Sequence, residues 1–219
     1  MSFNQKIEKV RSYPQNIFRS KSVDGVKHAF ELLINIFTLE AKRGYGDKII
    51  VTLFEDQSIS IRDFGRGISL GTKENPKWHE MFCEPKAASK WAYGYQLNSI
   101  MDENEDLGLN REYEESEYEL HHIQFVSEYM EIHSFKDGFE KVVHFKKGLV
   151  DGDLEIKGSS EPNGSYIIFK FDNEVFDDTA LPRKWLEKHL MLCAALNSGI
   201  SYVLNIKNSL FLIFSSGFG

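Results

Sequence analysis

The chain switches between two hydrophobic periods. Residues 29–41, Ala-Phe-Glu-Leu-Leu-Ile-Asn-Ile-Phe-Thr-Leu-Glu-Ala, form a long, nearly continuous apolar run. Ser22 before it is a good helix cap and Gly44 after it a good stop, so the pattern predicts a helix between them. Lys48–Phe54 is a second apolar run, followed by the turn residues Glu55–Ser58. Ile59–Asp63 then alternates apolar and polar, the mark of a half-buried strand, so the two runs read as a hairpin. Residues 3–12 predict a short amphipathic helix, and 76–92 a helix opening after Pro76. Met130–Phe135 and Glu140–Phe145 pair around Lys136-Asp137-Gly138 as a second hairpin. Tyr166–Phe171 reads as a strand, Leu181–Asn197 as a helix opening on Pro182, and Tyr202–Ile206 as a last strand. Helices and hairpins mixed in this way predict an α/β two-layer sandwich: a mixed, mostly antiparallel sheet with helices on one face.

Two polar residues interrupt the long apolar helix. Glu31 and Asn35 are four apart, one turn along the same stripe, and Thr38 continues that stripe. A carboxylate or amide buried without a partner costs a few kcal/mol. Such a pair therefore either closes an internal hydrogen-bond network or faces a site, and the pattern alone leaves both readings open. The strand Ile59–Asp63 runs directly into Asp63-Phe64-Gly65-Arg66-Gly67-Ile68. An acid at a strand end followed by two glycines lets backbone approach a ligand closely while the carboxylate accepts a hydrogen bond.

Helix with Glu-x-x-x-Asn, hairpin, then Asp-x-Gly-x-Gly is a more specific combination. It resembles the ATP-binding domain of the GHKL superfamily, and the flanks narrow the likeness to the gyrase B and topoisomerase IV B branch. Val10-Arg-Ser-Tyr-Pro-Gln-Asn-Ile-Phe18 is similar to the family's Val-Arg-Lys-Arg-Pro-Gly-Met-Tyr-Ile segment. Leu196-Asn-Ser-Gly-Ile-Ser201 is similar to its Leu-Asn-Ser-Gly-Val stretch. Pro162-Asn-Gly-Ser165 and the strand after it stand where the family has Thr-Gly-Thr and a strand. The resemblance covers roughly residues 8–207 and fails in the middle. It implies a single GHKL-type ATP-binding domain over residues 1–219, with ATP and magnesium as cofactors.

The resemblance carries roles to individual residues. Glu31 matches the general base that polarises the water attacking the γ-phosphate. Asn35 matches the ligand of the magnesium that bridges the phosphates. Asp63 matches the acid that accepts a hydrogen bond from the adenine amino group, and Gly65, Arg66, Gly67 and Ile68 match the wall beside the base. Ser165 matches a hydroxyl next to the adenine, bonded to Asp63 or to water. Glu40 falls near the family's acidic partner of Arg66. The chemistry fits, because phosphoryl transfer needs positioning, an aligned nucleophile and a metal to neutralise charge. A base in an apolar pocket is expected to have a raised pKa.

The departures weigh against turnover. The family wraps the phosphates with a Gly-rich lid at a helix N-terminus, and this chain has no such motif. Tyr93-Gly-Tyr95 and Leu107-Gly-Leu-Asn110 are its nearest relics. Met101–Glu119 stands in its place, with nine acids (from Asp102 to Glu119) against Arg111 alone. That run reads as a solvated acidic segment, poorly suited to a triphosphate. Ile34 replaces the acid that precedes the asparagine in the family. The family's transducer domain, with its phosphate-contacting lysine, has no counterpart here, and the dimerising N-terminal arm is cut to about nine residues. These features imply ATP or ADP binding by a monomer, with slow magnesium-dependent hydrolysis at most. A protein partner of topoisomerase type is the remaining candidate. The alternative is a degenerate, non-hydrolysing relative acting as an interaction or regulatory protein.

Bulk composition restricts the picture further. A chain of 219 residues with 42% apolar content can bury a full core. A net charge of −7 gives no general attraction to DNA or anionic membranes, so direct DNA binding is not expected. No apolar run reaches membrane-spanning length and no signal peptide is evident. Cys83 and Cys193, far apart, read as free thiols of a reducing, cytoplasmic compartment. His121-His122 are adjacent and ill placed to share a zinc site. His28 is expected on the helix surface, and Trp78, Trp91 and Trp185 as packing anchors.

Overall fold

A computed structural model describes residues 2–83, 120–206 and 210–215. The amphipathic start is helix α1, Phe3–Ser12. Ser2 caps it with a full capping box: its hydroxyl accepts from the Gln5 N–H, and its own N–H donates to Gln5 Oε1 at 2.8 Å. One short turn follows, α2, Gln15–Phe18. The long helix is α3, Val23–Lys42, capped by Ser22, whose hydroxyl accepts from the Asp24 N–H. Its apolar stripe, with Phe30, Leu33, Ile34 and Phe37, is almost wholly inaccessible to solvent. Burying such a side chain contributes about 1.5–3 kcal/mol, which far exceeds what helix propensity supplies.

The first hairpin is β1, Lys48–Leu53, and β2, Ile59–Arg62, in the expected antiparallel pairing. The second is β3, Ser127–Lys136, with β4, Phe139–Lys146, longer than the apolar pattern predicts. Its turn is Asp137-Gly138, both with positive φ, which suits the twist of a tight hairpin. Short strands β5, Leu149–Val150, and β6, Glu155–Gly158, pair with β4. Strand β7, Gly164–Phe171, lies between β3 and β2. Strand β8, Ser201–Ile206, runs parallel to β1, and β9, Leu210–Phe214, adds antiparallel to β8. Among the described residues the sheet order is β5-β4-β3-β7-β2-β1-β8-β9, with β6 beside β4. β9 is not expected from the pattern, because its five apolar residues show no alternation that would mark a strand.

Helix α4 spans Lys77–Cys83, the described part of the expected 76–92 helix. Leu120–Phe125 forms α5 and Arg183–Leu196 forms α6, opening after Pro182 as the sequence predicts. The inward row of the sheet, Ile49, Val51, Ile59, Ile61, Ile167, Phe169 and Leu204, joins α3 and the Leu186, Leu190 and Ala194 stripe of α6 in one core. The architecture is therefore a helix layer on a mixed, mostly antiparallel sheet. Trp78 is buried and Trp185 half-buried against this core, as anchors should be. Trp91 lies outside the described residues, as do the acidic run and both lid relics. No helix among the described residues is long and apolar enough to cross a membrane.

Candidate nucleotide site

The end of β2 builds the best-defined part of the site. The β2–β7 ladder continues past Arg62, because the Asp63 N–H donates to the Ser165 carbonyl at 3.0 Å. The Asp63 carboxylate is bonded back onto the same strand pair. Its Oδ1 accepts from the Gly65 N–H at 3.0 Å and from the Ser165 N–H at 2.8 Å. Asp63 is only 6% exposed. Among the described residues, Oδ2 takes no hydrogen bond, so one oxygen of a fixed, buried carboxylate is left to accept from elsewhere. Burial pushes the Asp63 carboxyl above the usual carboxylate range, against the two N–H contacts that favour the charge; Glu40 adds to the rise and Arg62 opposes it.

Of the two contacts expected of the Ser165 hydroxyl, to Asp63 or to water, the one to Asp63 is made by the backbone instead. Its backbone N–H, not its hydroxyl, contacts Asp63. The strand pairing already aims that N–H at the carboxylate, so no side-chain bond is needed.

The neighbouring glycines explain the Asp63–Ile68 geometry. Gly164 has φ +142°, and a Cβ there would collide with the Asp63 carbonyl and approach Oδ1 to 2.8 Å. Gly67 has φ +80°, and a Cβ there would sit 2.8 Å from the Phe135 carbonyl oxygen. Both are places where only glycine fits without displacing backbone. Arg66 is held by Glu40 through Nε–Oε1 at 2.8 Å and Nη2–Oε2 at 2.7 Å. Its guanidinium also lies 3.6 Å from the centre of the Tyr45 ring. The Glu40 partner expected from the sequence is therefore in place.

Sequence reasoning missed Arg62. On an alternating strand it reads as an outward, solvated residue, yet it clamps the site from behind. Nη1 donates to the carbonyls of Asp63 and Ser165, and Nη2 to that of Pro162. The guanidinium packs 4.8 Å from the Phe64 ring centre and 4.5 Å from that of Phe135. The nearby Pro162-Asn-Gly turn is the sequence signal that could have pointed to it. Beyond Ile68 a cleft of about 350 Å³ opens, lined in part by Lys77, Lys136 and Lys141.

The α3 stripe proves to be open rather than buried. Glu31 is half-buried, with its side chain 39% exposed, and Asn35 is exposed. The apolar-pocket expectation for Glu31 is therefore corrected: α3 turns this stripe away from the core formed by Phe30, Leu33 and Ile34. Thr38 is the exception. It is buried, and its hydroxyl donates to the Ile34 carbonyl and meets the Tyr202 hydroxyl, each at 2.9 Å. The stripe thus splits, with a structural network at Thr38 and an accessible pair at Glu31 and Asn35. His28 is not surface-exposed as expected; its side chain is 14% exposed, and Nδ1 lies 3.5 Å from Glu31 Oε2. Ile34 is fully buried.

Asn35 offers one amide oxygen of the hard type magnesium takes. Among the described residues no group of histidines, cysteines and acids is arranged to hold a metal ion. A magnesium ion here would accordingly be held largely by the phosphates of its nucleotide, with Asn35 as a protein ligand. His121 and His122 are buried on α5 with ring centres 4.2 Å apart. Cys83 and Cys193 are buried, and neither is in a disulfide.

This geometry can be set beside known proteins. No family model matches the chain. The DNA gyrase B protein of Halalkalibacterium halodurans is 27% identical over 199 residues, 89% of this chain and 29% of that protein. The DNA topoisomerase 4 B protein of Staphylococcus epidermidis is 28% identical over 177 residues, 79% of this chain and 24% of that protein. The chain is similar in sequence to gyrase B and topoisomerase IV B proteins. Its fold is that of the 43K ATPase domain of Thermus thermophilus gyrase B, solved with an aminocoumarin, at a TM-score of 0.73 and 22% identity. That match covers 95% of this chain and 51% of the solved one. The chain spans less than a third of the length of the two curated proteins, 29% and 24%.

Proposed function

We propose that this chain is an adenine-nucleotide-binding domain of the gyrase B type, over residues 1–219, with Asp63 as the residue that selects adenine. The observation that carries the reading is the Asp63 carboxylate: one oxygen fixed by two backbone N–H groups, the other without a donor among the described residues. An exocyclic amine is the neutral donor that fits such an acceptor. Gly65, Arg66, Gly67 and Ile68 form the wall against the base, and the Glu40 pair keeps Arg66 on that wall. Asn35 holds magnesium together with the nucleotide phosphates; the ion supplies charge neutralisation and alignment when bound. Glu31, one turn before Asn35 and half-buried, receives the proton of the attacking water; its solvent access supports this role.

A second reading is favoured by Ile34. Its burial leaves no carboxylate behind Asn35 and Glu31 where the family has one. Together with the acidic run at 101–119, this supports a domain that binds nucleotide but turns it over slowly or not at all, in a regulatory or interaction role. Calorimetric titration with ATP plus magnesium, beside a phosphate-release assay, separates the readings. Binding with release supports the hydrolytic reading, and binding without release supports the regulatory one. Absence of binding rejects both.

A further inference from the structure

Glu31 stands between two imidazoles. Its Oε2 faces His28 Nδ1 at 3.5 Å on the same helix, and its Oε1 faces His189 Nδ1 at 3.8 Å on α6. The His189 ring is fixed on three sides. It stacks on Trp185 at 5.0 Å between centres and 11° between planes. Phe30 meets it edge-on at 6.1 Å, and Cys193 Sγ lies 3.5 Å from its Nε2. A neutral imidazole carries one N–H. With the thiol as donor to Nε2, that proton belongs on Nδ1, facing the carboxylate. Burial lowers the His189 pKa below the ordinary imidazole value, and Glu31 pulls the other way. Burial first, then Glu31, pushes the Cys193 thiol up to about 11, so it stays a protonated donor.

We propose that His189 is a positioning residue for Glu31: its Nδ1–H, 3.8 Å from Oε1 and beyond hydrogen-bond length here, closes onto that oxygen when nucleotide is bound, so that the carboxylate keeps one orientation toward water. The inference rests on the reading of Glu31 as the base. Nothing in the Glu-x-x-x-Asn pattern points to it, because His189 comes from a helix far along the chain, beyond the whole β1–β7 region. Protonation of His189 converts the contact into an ion pair and draws the carboxylate toward α6. The groups facing this pair are Lys27, His28 and Glu31 on α3 and Cys193 on α6, with the Tyr202 hydroxyl of β8 beyond Cys193. Lys27 is already paired with Asp24 at 2.8 Å. Turnover is therefore expected to have an acid limb set by imidazole rather than carboxylate titration.

The test combines a ring titration by NMR with kinetics. In Glu31→Gln the His189 titration midpoint moves down relative to the parent, because the carboxylate that favours the charged ring is gone. His189→Ala lowers kcat roughly tenfold to a hundredfold, the scale of a misplaced catalytic group, with KM unchanged. His189→Gln keeps an N–H donor, recovers most of kcat at neutral pH and loses the acid limb. An unmoved His189 midpoint, or full kcat in His189→Ala, overturns the proposal. A parent that binds nucleotide without turnover rejects the hydrolytic reading instead, and the ring titration then decides the Glu31–His189 contact by itself.

Discussion

Glu40 and Arg66 are joined by two parallel hydrogen bonds, Nε–Oε1 at 2.8 Å and Nη2–Oε2 at 2.7 Å, across 26 residues of chain. The pair ties the last turn of α3 to the Asp63–Ile68 segment. Helix layer and the Asp63–Ile68 segment are thus coupled by a bidentate, charge-assisted contact. Both side chains are mostly covered, at 12% exposed for Glu40 and 20% for Arg66.

Glu40→Ala leaves the guanidinium without its main carboxylate. Stability is expected to fall by about 1–3 kcal/mol, below the loss for a fully buried pair because solvent still reaches this one. Urea unfolding measures the loss, and a parallel titration should show weakened nucleotide binding. An unchanged unfolding midpoint would remove the pair from the account.

Glu31→Ala should leave nucleotide affinity intact, since the side chain is half-exposed and its proposed role is toward the attacking water. Any ATPase activity should drop by about 10²–10⁴-fold, the usual contribution of a general base. Phosphate release by parent and mutant under single-turnover conditions checks this, and equal rates would return Glu31 to a structural role.

Much of this architecture is legible in the chain. α3, the β1–β2 hairpin, the Asp137-Gly138 hairpin and α6 follow from period and turn chemistry, because each has a clear cap or turn residue. β9 does not, because Leu-Phe-Leu-Ile-Phe has no alternation and becomes a strand only by pairing with β8. Within the site, Asp63 and Arg66 are legible from their glycine context. The contacts of Arg62 and His189 are not, because they join segments distant in sequence. The burial of Glu31 and Asn35 is overestimated from sequence, since an apolar run does not show which side of a helix faces the core.

Asp63 should also leave a mark on stability. Its folded pKa is raised, so between the ordinary carboxylate value of about 3.9 and that raised value the native state holds a proton that the unfolded chain has lost. Stability due to this group therefore falls as pH rises through that window and stays lower above it. Asp63→Asn removes the effect. The mutant is expected to equal or exceed the parent in stability at pH 7, and to lose that advantage near pH 3. Thermal unfolding across pH tests the sign, and a mutant less stable at pH 7 than at acid pH relative to the parent would contradict it.

A lid that touches the γ-phosphate makes ATP bind more tightly than ADP through contacts made only with ATP. The acidic residues of 101–119 are ill suited to such contacts, so the two nucleotides should bind with similar affinity. The chain should remain a monomer with a non-hydrolysable analogue. Sedimentation with and without analogue, beside paired titrations, checks both points. A nucleotide-dependent dimer, or a tenfold preference for ATP (about 1.4 kcal/mol), would show a working lid.

On the proposed reading, Asp63 takes the adenine amine. Calorimetric titration of the parent and of Asp63→Asn with ADP and magnesium tests it most directly. Saturable binding to the parent is expected, with a loss of about 1–3 kcal/mol in the mutant, whose fold is intact by unfolding. Equal affinity of the two proteins, or no binding to the parent, would contradict it.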